Sequence, residues 1–183
     1  MNMNLKMAGS PSADVLPSVE EHTRQVIVTL FAFLEAQGQG DYLGERVTQL
    51  QHSLQCAYHA TQSLTYGTDP EVIIAALLHD VGRFIPAAEK VGKMITPDGQ
   101  YVGPQSHEIL GERYLRQIGF SERICQLVGA HVMAKRYLVA TDKAYYDGLS
   151  ETSKRTLRFQ VQFSGEPIDD CILTDMIGRS FYY

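Results

Sequence analysis

Residues 75–84 read AALLHDVGRF. They close a run in which every residue from Val72 to Leu78 is apolar, and then set His79 and Asp80 side by side. Upstream, Asp69 is an N-cap, Pro70 occupies the first helical position and Glu71 the first turn, so the run starts as a helix. Its alanines and leucines favour helix over a buried strand. A helix apolar on nearly every side belongs at the centre of a fold, which places His79 and Asp80 deep in the molecule. A carboxylate there is costly unless it is paired, hydrogen-bonded or coordinated. Arg83, three residues on, offers an ion pair; a metal ion is the other partner.

Working outward, Ser18 and Glu21 form a capping box for a helix whose apolar face is Val26, Ile27, Leu30, Phe31, Phe33 and Leu34, ended by Gly38. A second helix is predicted over 44–65, with Val47, Leu50, Leu54, Ala57, Thr61 and Leu64 in one stripe. His52, Gln55, Cys56 and His59 fall on its other side. Imidazole, amide and thiol in place of charge mark that side as half-buried. Residues 82–103, rich in glycine and proline, read as a long loop with one short turn around 86–91, of a length common in functional lids. A helix over 105–118 carries His107 near its start, and Gly119 ends it. Ser121 caps the helix bearing His131 and Lys135, Asp142 begins a short turn, and Ser150 caps residues 151–160. No two-residue hairpin turn stands between alternating strands. The fold class is therefore all-α, a helical bundle. Residues 1–17 read as a disordered arm, 18–160 as the core, and 161–183 as a segment without persistent periodicity.

The bulk figures set bounds on function. A chain of 183 residues makes one domain with a substantial core. With 44% hydrophobic and 20% charged residues it is globular, and its net charge of -5 argues against a nucleic-acid partner. A small anionic substrate held by local cations remains compatible. Cys56, Cys125 and Cys171 are odd in number and widely spaced, with no CxxC pair, so no disulfide framework is expected. No run approaches the roughly 18 apolar residues of a membrane span, and none near the N-terminus suits a signal peptide. No membrane association and a cytoplasmic location are expected.

Four of the six histidines, His52, His79, His107 and His131, lie on or beside predicted helices among apolar neighbours. One such histidine alone is ordinarily a packed core residue; four together with Asp80 point to a metal site between helices. Histidine and carboxylate donors suit iron, manganese, nickel and zinc. Spacing does not choose among them, nor fix the number of ions.

The order His52, His79-Asp80, His107, His131 resembles the HD-domain superfamily. More narrowly, DYLGERVTQLQHSLQCA (41–57), ALLHDVGR (76–83), SHEILGERYLRQIGFSERI (106–124) and HVMAKRYLV (131–139) closely resemble the organophosphonate-cleaving HD-domain mixed-valence diiron oxygenases, over about residues 41–160. That resemblance implies two iron ions, Fe(II)/Fe(III), and dioxygen, used to oxidise the carbon beside phosphorus in an α-hydroxyphosphonate such as 2-amino-1-hydroxyethylphosphonate, with release of inorganic phosphate. It implies His52 and His79 on one iron, His107 and His131 on the other, and Asp80 bridging. Tyr42 and Glu45 would close over the substrate, Lys135 and Ser153 would hold its phosphonate, and Gln55 would lie one turn beyond His52. Without the resemblance, Tyr42–Glu45 is a helix start and Lys135–Arg136 a solvent-facing pair. The family's late aspartate ligand lacks a clear counterpart: Asp169, Asp170 and Asp175 are available, and Asp175, after the DDC stretch, is the choice. The chain ends earlier than the family pattern, and Gln51 stands where an acidic residue often precedes the first histidine. Two other readings use the same residues: a metal-dependent phosphohydrolase, and a noncatalytic HD-like interaction protein.

Overall fold

Residues 18–43 and 45–157 are described by the structure, a computed structural model. In chain order they form α1 (Val19–Gln37), α2 (Gln49–Thr61), α3 (Pro70–Leu78), two 3-10 turns (Val81–Arg83 and Pro86–Lys90), β1 (Lys93–Ile95), β2 (Tyr101–Pro104), α4 (His107–Gln117), α5 (Glu122–Thr141), α6 (Lys143–Gly148) and α7 (Glu151–Leu157). The architecture is an all-α bundle carrying one small hairpin.

α3 is the central element, as its sequence requires. The Asp69 carboxylate accepts from the backbone N–H groups of Glu71 and Val72, fixing the first turn. Arg123 donates to both Asp69 and Glu71, and Ser121 to Glu71, so the starts of α3 and α5 are tied together. Between α2 and α5, α3 buries Val72, Ala75, Ala76 and Leu78. Two alanines at the middle let both neighbours approach closely, and the core continues through Leu115, Ile124, Leu127 and Val128.

The N-terminal helix packs only through its second half. Ser18 caps it as expected, and Leu30 and Leu34 are buried, with the Phe33 ring against Phe84 and Tyr114. Ile27 and Phe31, assigned to the apolar face, are instead exposed. α2 departs further from expectation. It begins at Gln49, capped reciprocally by Thr48 and Gln51, and ends at Thr61. Its buried residues are Ser53, Cys56 and Ala60, whereas Leu54 is 53% exposed and Leu64 lies beyond the helix in solvent. The inward face is the one with small side chains, because close packing on α3 leaves no room for a leucine stripe.

The hairpin was not anticipated. β1 and β2 pair antiparallel through a turn over residues 96–100, in which Gly99 adopts φ +84°. Strands of three and four residues joined by a five-residue turn carry too little alternation to be read. Gly103 in β2 has φ +118°, and a Cβ there would come within 2.7 Å of the Arg83 guanidinium. Downstream, α4 follows Ser106, Asp142 caps α6, and the Ser150 hydroxyl accepts from the Ser153 N–H at the start of α7. Among the described residues no helix is long and apolar enough to cross a membrane. The expectations for residues 1–17 and 161–183, Asp175 included, lie outside the described residues.

Candidate metal centre

Four elements deliver the candidate donors. His52 comes from the first turn of α2. His79 and Asp80 follow α3 directly, at the step into the first 3-10 turn. His107 opens α4 and His131 sits midway along α5. Two of the rings are oriented by backbone carbonyls: His79 Nδ1 lies 2.8 Å from Ala76 O, and His131 Nδ1 lies 2.8 Å from Val128 O. A carbonyl only accepts, so each Nδ1 carries the proton and each Nε2 presents its lone pair inward. His107 is fully buried; its Nδ1 has no hydrogen-bond partner and stands 3.5 Å from the Glu108 carboxylate. Backbone strain marks the approach to His107, since Ser106 has φ +53°.

The rings meet in pairs around one carboxylate. His52 Nε2 and His79 Nε2 are 3.2 Å apart, as are His107 Nε2 and His131 Nε2. Asp80 divides its oxygens between them. Oδ1 is 3.1 Å from His107 Nε2 and 3.7 Å from His131 Nε2, whereas Oδ2 is 3.6 Å from His79 Nε2 and 4.0 Å from His52 Nε2. Two clusters of candidate metal donors result, one of His52, Cys56 and His79, the other of Asp80, His107 and His131. The donor set fits metal ions. At metal–nitrogen bonds of about 2.0–2.1 Å, two imidazoles sharing an ion stand about 3 Å apart.

Electrostatics favour the ligating forms. Burial and the neighbouring His79 ring push the His52 imidazolium down to about 3, and burial with His107 and His79 lowers His131 well below the usual range. Both rings are therefore neutral near pH 7, as coordination requires. Burial would raise the Asp80 carboxyl, but Arg83, His79 and His107 together hold it well below the usual carboxylate range. Arg83 is itself buried: its Nε lies 3.9 Å from Asp80 Oδ2 and makes no hydrogen bond, and its guanidinium sits 5.7 Å from the Tyr42 ring centre.

The donors open onto a cavity of about 360 Å³. Tyr42, Glu45, Gln55, Lys135 and Ser153 all line it, so the substrate-contact candidates and the metal donors share this one space, whereas His59 does not reach it. Tyr42 and Glu45 come not from a helix start but from a turn ahead of α2, closed by the Asp41–Thr48 bridge and passing through Leu43 at φ +52°. The Tyr42 ring stacks on His52 with centroids 3.9 Å apart, and burial and the Asp80 charge push its hydroxyl well above the usual range. Glu45 accepts a 2.6 Å hydrogen bond from the Ser150 hydroxyl. Lys135 faces the cavity rather than open solvent; burial lowers its ammonium to about 8, with Asp80 and Glu45 pulling the other way. Two participants escaped sequence reasoning: Cys56 stood on the correct face but was given no role, and Ser150 was read only as a cap, whereas Arg83 stands beside Asp80 as the ion-pair partner the sequence offered. The four-residue step from His52 to Cys56 was the available signal.

The HD domain family matches residues 50–155. The [1-hydroxy-2-(trimethylamino)ethyl]phosphonate dioxygenase (glycine-betaine-forming) of Leisingera caerulea is 37% identical over 154 residues, covering 84% of this chain and 71% of that protein. The hydroxymethylphosphonate dioxygenase of Gimesia maris is 34% identical over 148 residues, covering 80% and 68%. An uncharacterized protein of Acanthamoeba polyphaga mimivirus is 36% identical over 140 residues, covering 76% and 60%. The matches thus span between 60% and 71% of these relatives' own lengths. With paired histidines around a shared aspartate between its helices, the chain belongs to the HD-domain family and is related to its phosphonate-cleaving dioxygenases.

Proposed function

We propose that this metal-dependent enzyme is an iron-dependent dioxygenase that cleaves the carbon–phosphorus bond of a small α-hydroxyphosphonate and releases inorganic phosphate. One observation carries the reading: two histidine pairs divide the oxygens of Asp80 and open onto a cavity that holds a lysine. His52 and His79 would hold one ion, His107 and His131 the second, with Asp80 between them. An Fe(II)/Fe(III) pair, when bound, supplies the redox chemistry with dioxygen.

The chain's own groups bind and orient. Lys135 and Ser153 hold the phosphonate oxygens, which need charged and neutral donors. Lys135 is cationic below about pH 8, so it meets a phosphonate as a charge-assisted partner at neutral pH. Glu45 puts a carboxylate in the same cavity, which matches an ammonium at the far end of the substrate and favours 2-amino-1-hydroxyethylphosphonate. Gln55 lines the wall one turn beyond His52. Tyr42, reaching from the turn that precedes α2 and stacked on His52, limits water access to the donors. Fixing the hydroxylated carbon beside the ions is the largest contribution that the protein groups make.

The test is anaerobic reconstitution with iron, followed by simultaneous measurement of oxygen uptake and phosphate release on 2-amino-1-hydroxyethylphosphonate. Oxygen consumption matched to phosphate release is expected. Phosphate released from a phosphate ester or nucleotide without oxygen uptake would overturn the reading and assign the same donors to metal-activated water.

A further inference from the structure

The two histidine pairs are not equally served by Asp80. Its Oδ1 approaches the His107–His131 pair to 3.1 Å, but its Oδ2 comes no closer than 3.6 Å to the His52–His79 pair. A further donor, of a different chemical element, stands at a comparable distance from that second pair. Cys56 Sγ lies 3.7 Å from His52 Nε2 and falls with His52 and His79 in one cluster whose donor atoms are all within 4.8 Å of one another. Cys56 follows His52 by one helical turn on the buried face of α2 and lines the cavity. Cys125 belongs to the same buried cluster as Cys56, but its thiol turns to the Phe120 carbonyl and not to a histidine pair.

We propose that Cys56 is a thiolate ligand of the ion held by His52 and His79. The spacings match a shared ion. With metal–nitrogen bonds of about 2.0–2.1 Å and a metal–sulfur bond of about 2.3 Å at tetrahedral angles, nitrogen–nitrogen separations are about 3.3 Å and nitrogen–sulfur separations about 3.6 Å. The chain shows 3.2 Å and 3.7 Å. The thiol gives its proton to solvent as the ion binds. The two positions then differ in kind. His107, His131 and Asp80 offer nitrogen and oxygen alone, whereas His52, His79 and Cys56 add a soft, negatively charged sulfur that favours iron or zinc over manganese. The inference rests on the two-ion reading above and not on its oxygen chemistry.

The experiment makes Cys56 the only sulfur in the protein. The Cys125→Ala/Cys171→Ala chain is produced with selenomethionine, loaded with cobalt(II) in thiol-free buffer, and measured by X-ray absorption. A sulfur neighbour at about 2.3 Å is expected, with a near-ultraviolet thiolate-to-cobalt band. Adding Cys56→Ser should remove both signals and weaken one of two cobalt ions by at least tenfold, since even outer-shell partners are worth about 10–100-fold in affinity. A shell of nitrogen and oxygen alone in the Cys56-containing chain overturns the proposal, and needs no substitution at position 56. The two readings separate cleanly. A nitrogen–oxygen shell beside intact phosphonate-dependent oxygen uptake sinks the thiolate and leaves the function. Sulfur ligation in a chain inert toward phosphonates and oxygen supports the thiolate and sinks the function.

Discussion

Gly82→Ala puts the placement of His107 under direct strain. Gly82 follows the Asp80–Val81 step and faces the first turns of α4. A Cβ there would stand 2.6 Å from Gly111 N and closer still to the His107 carbonyl oxygen, both backbone atoms, where real Cβ contacts essentially never fall below 3.0 Å. The 3-10 turn and α4 must therefore separate by about 1 Å to free the His107 carbonyl, and no rotamer change relieves it. Overpacking of this kind costs about 1–3 kcal/mol. With a urea dependence of about 1–3 kcal/mol per molar, the metal-free variant should lose on the order of 1 M in its midpoint. The same shift pulls His107 Nε2 from its 3.1 Å contact with Asp80 Oδ1, so metal uptake by the His107–His131 pair should weaken about tenfold or more. Gly40→Ala is the control, because a Cβ there meets nothing within 4 Å. Urea unfolding and cobalt titration of both variants decide the matter. A Gly82→Ala chain within about 0.5 kcal/mol of the parent, with unchanged metal affinity, would refute the argument.

Three other outcomes follow from the same geometry. Lys135 loses its proton above about pH 8, so kcat/KM for a phosphonate should fall toward tenfold per pH unit beyond that point, and Lys135→Met should remove this limb while raising KM; a profile flat to pH 10 contradicts the assignment. In the metal-free chain His52 stays neutral down to about pH 3, while an unfolded histidine protonates near 6.5. The unfolded state therefore binds the extra proton in that window, and stability present above pH 6.5 is lost as pH falls toward 3, at about 1 kcal/mol per unit from this residue. Urea midpoints of chelator-treated protein at pH 7 and pH 5 measure it, and equal midpoints contradict it. Asp69→Ala removes the cap of α3 and the Arg123 contact, and should cost about 0.5–2 kcal/mol in thermal unfolding with the cavity residues still in place.

Much of the fold was legible because the signals were local. Asp69-Pro70-Glu71 ahead of seven apolar residues specifies α3, and Ser18, Ser121, Asp142 and Ser150 each precede a helix they cap or begin. The face of α2 was not legible. Its leucines form the regular stripe, yet α3 presents alanines, and the closest packing goes to Ser53, Cys56 and Ala60. Hydrophobic periodicity cannot register a partner's side-chain size. The hairpin was hidden for a different reason: only Met94 in β1 and Val102 through Pro104 in β2 turn inward, too few positions to show a period. At the site, the histidine order and Asp80 could be read in advance, and the structure brings them together. The Arg83 ion pair was legible too, but its burial was not, because that depends on Gly103 leaving room from a strand twenty residues away.

Anomalous diffraction from crystals grown anaerobically with iron tests the central claim most directly. The account predicts two iron peaks flanking the Asp80 side chain, one beside His52 and His79 and the other beside His107 and His131, each about 2.0–2.2 Å from its nitrogens. A single peak, or none, with the Nε2 atoms of each pair hydrogen-bonded to each other, would contradict it.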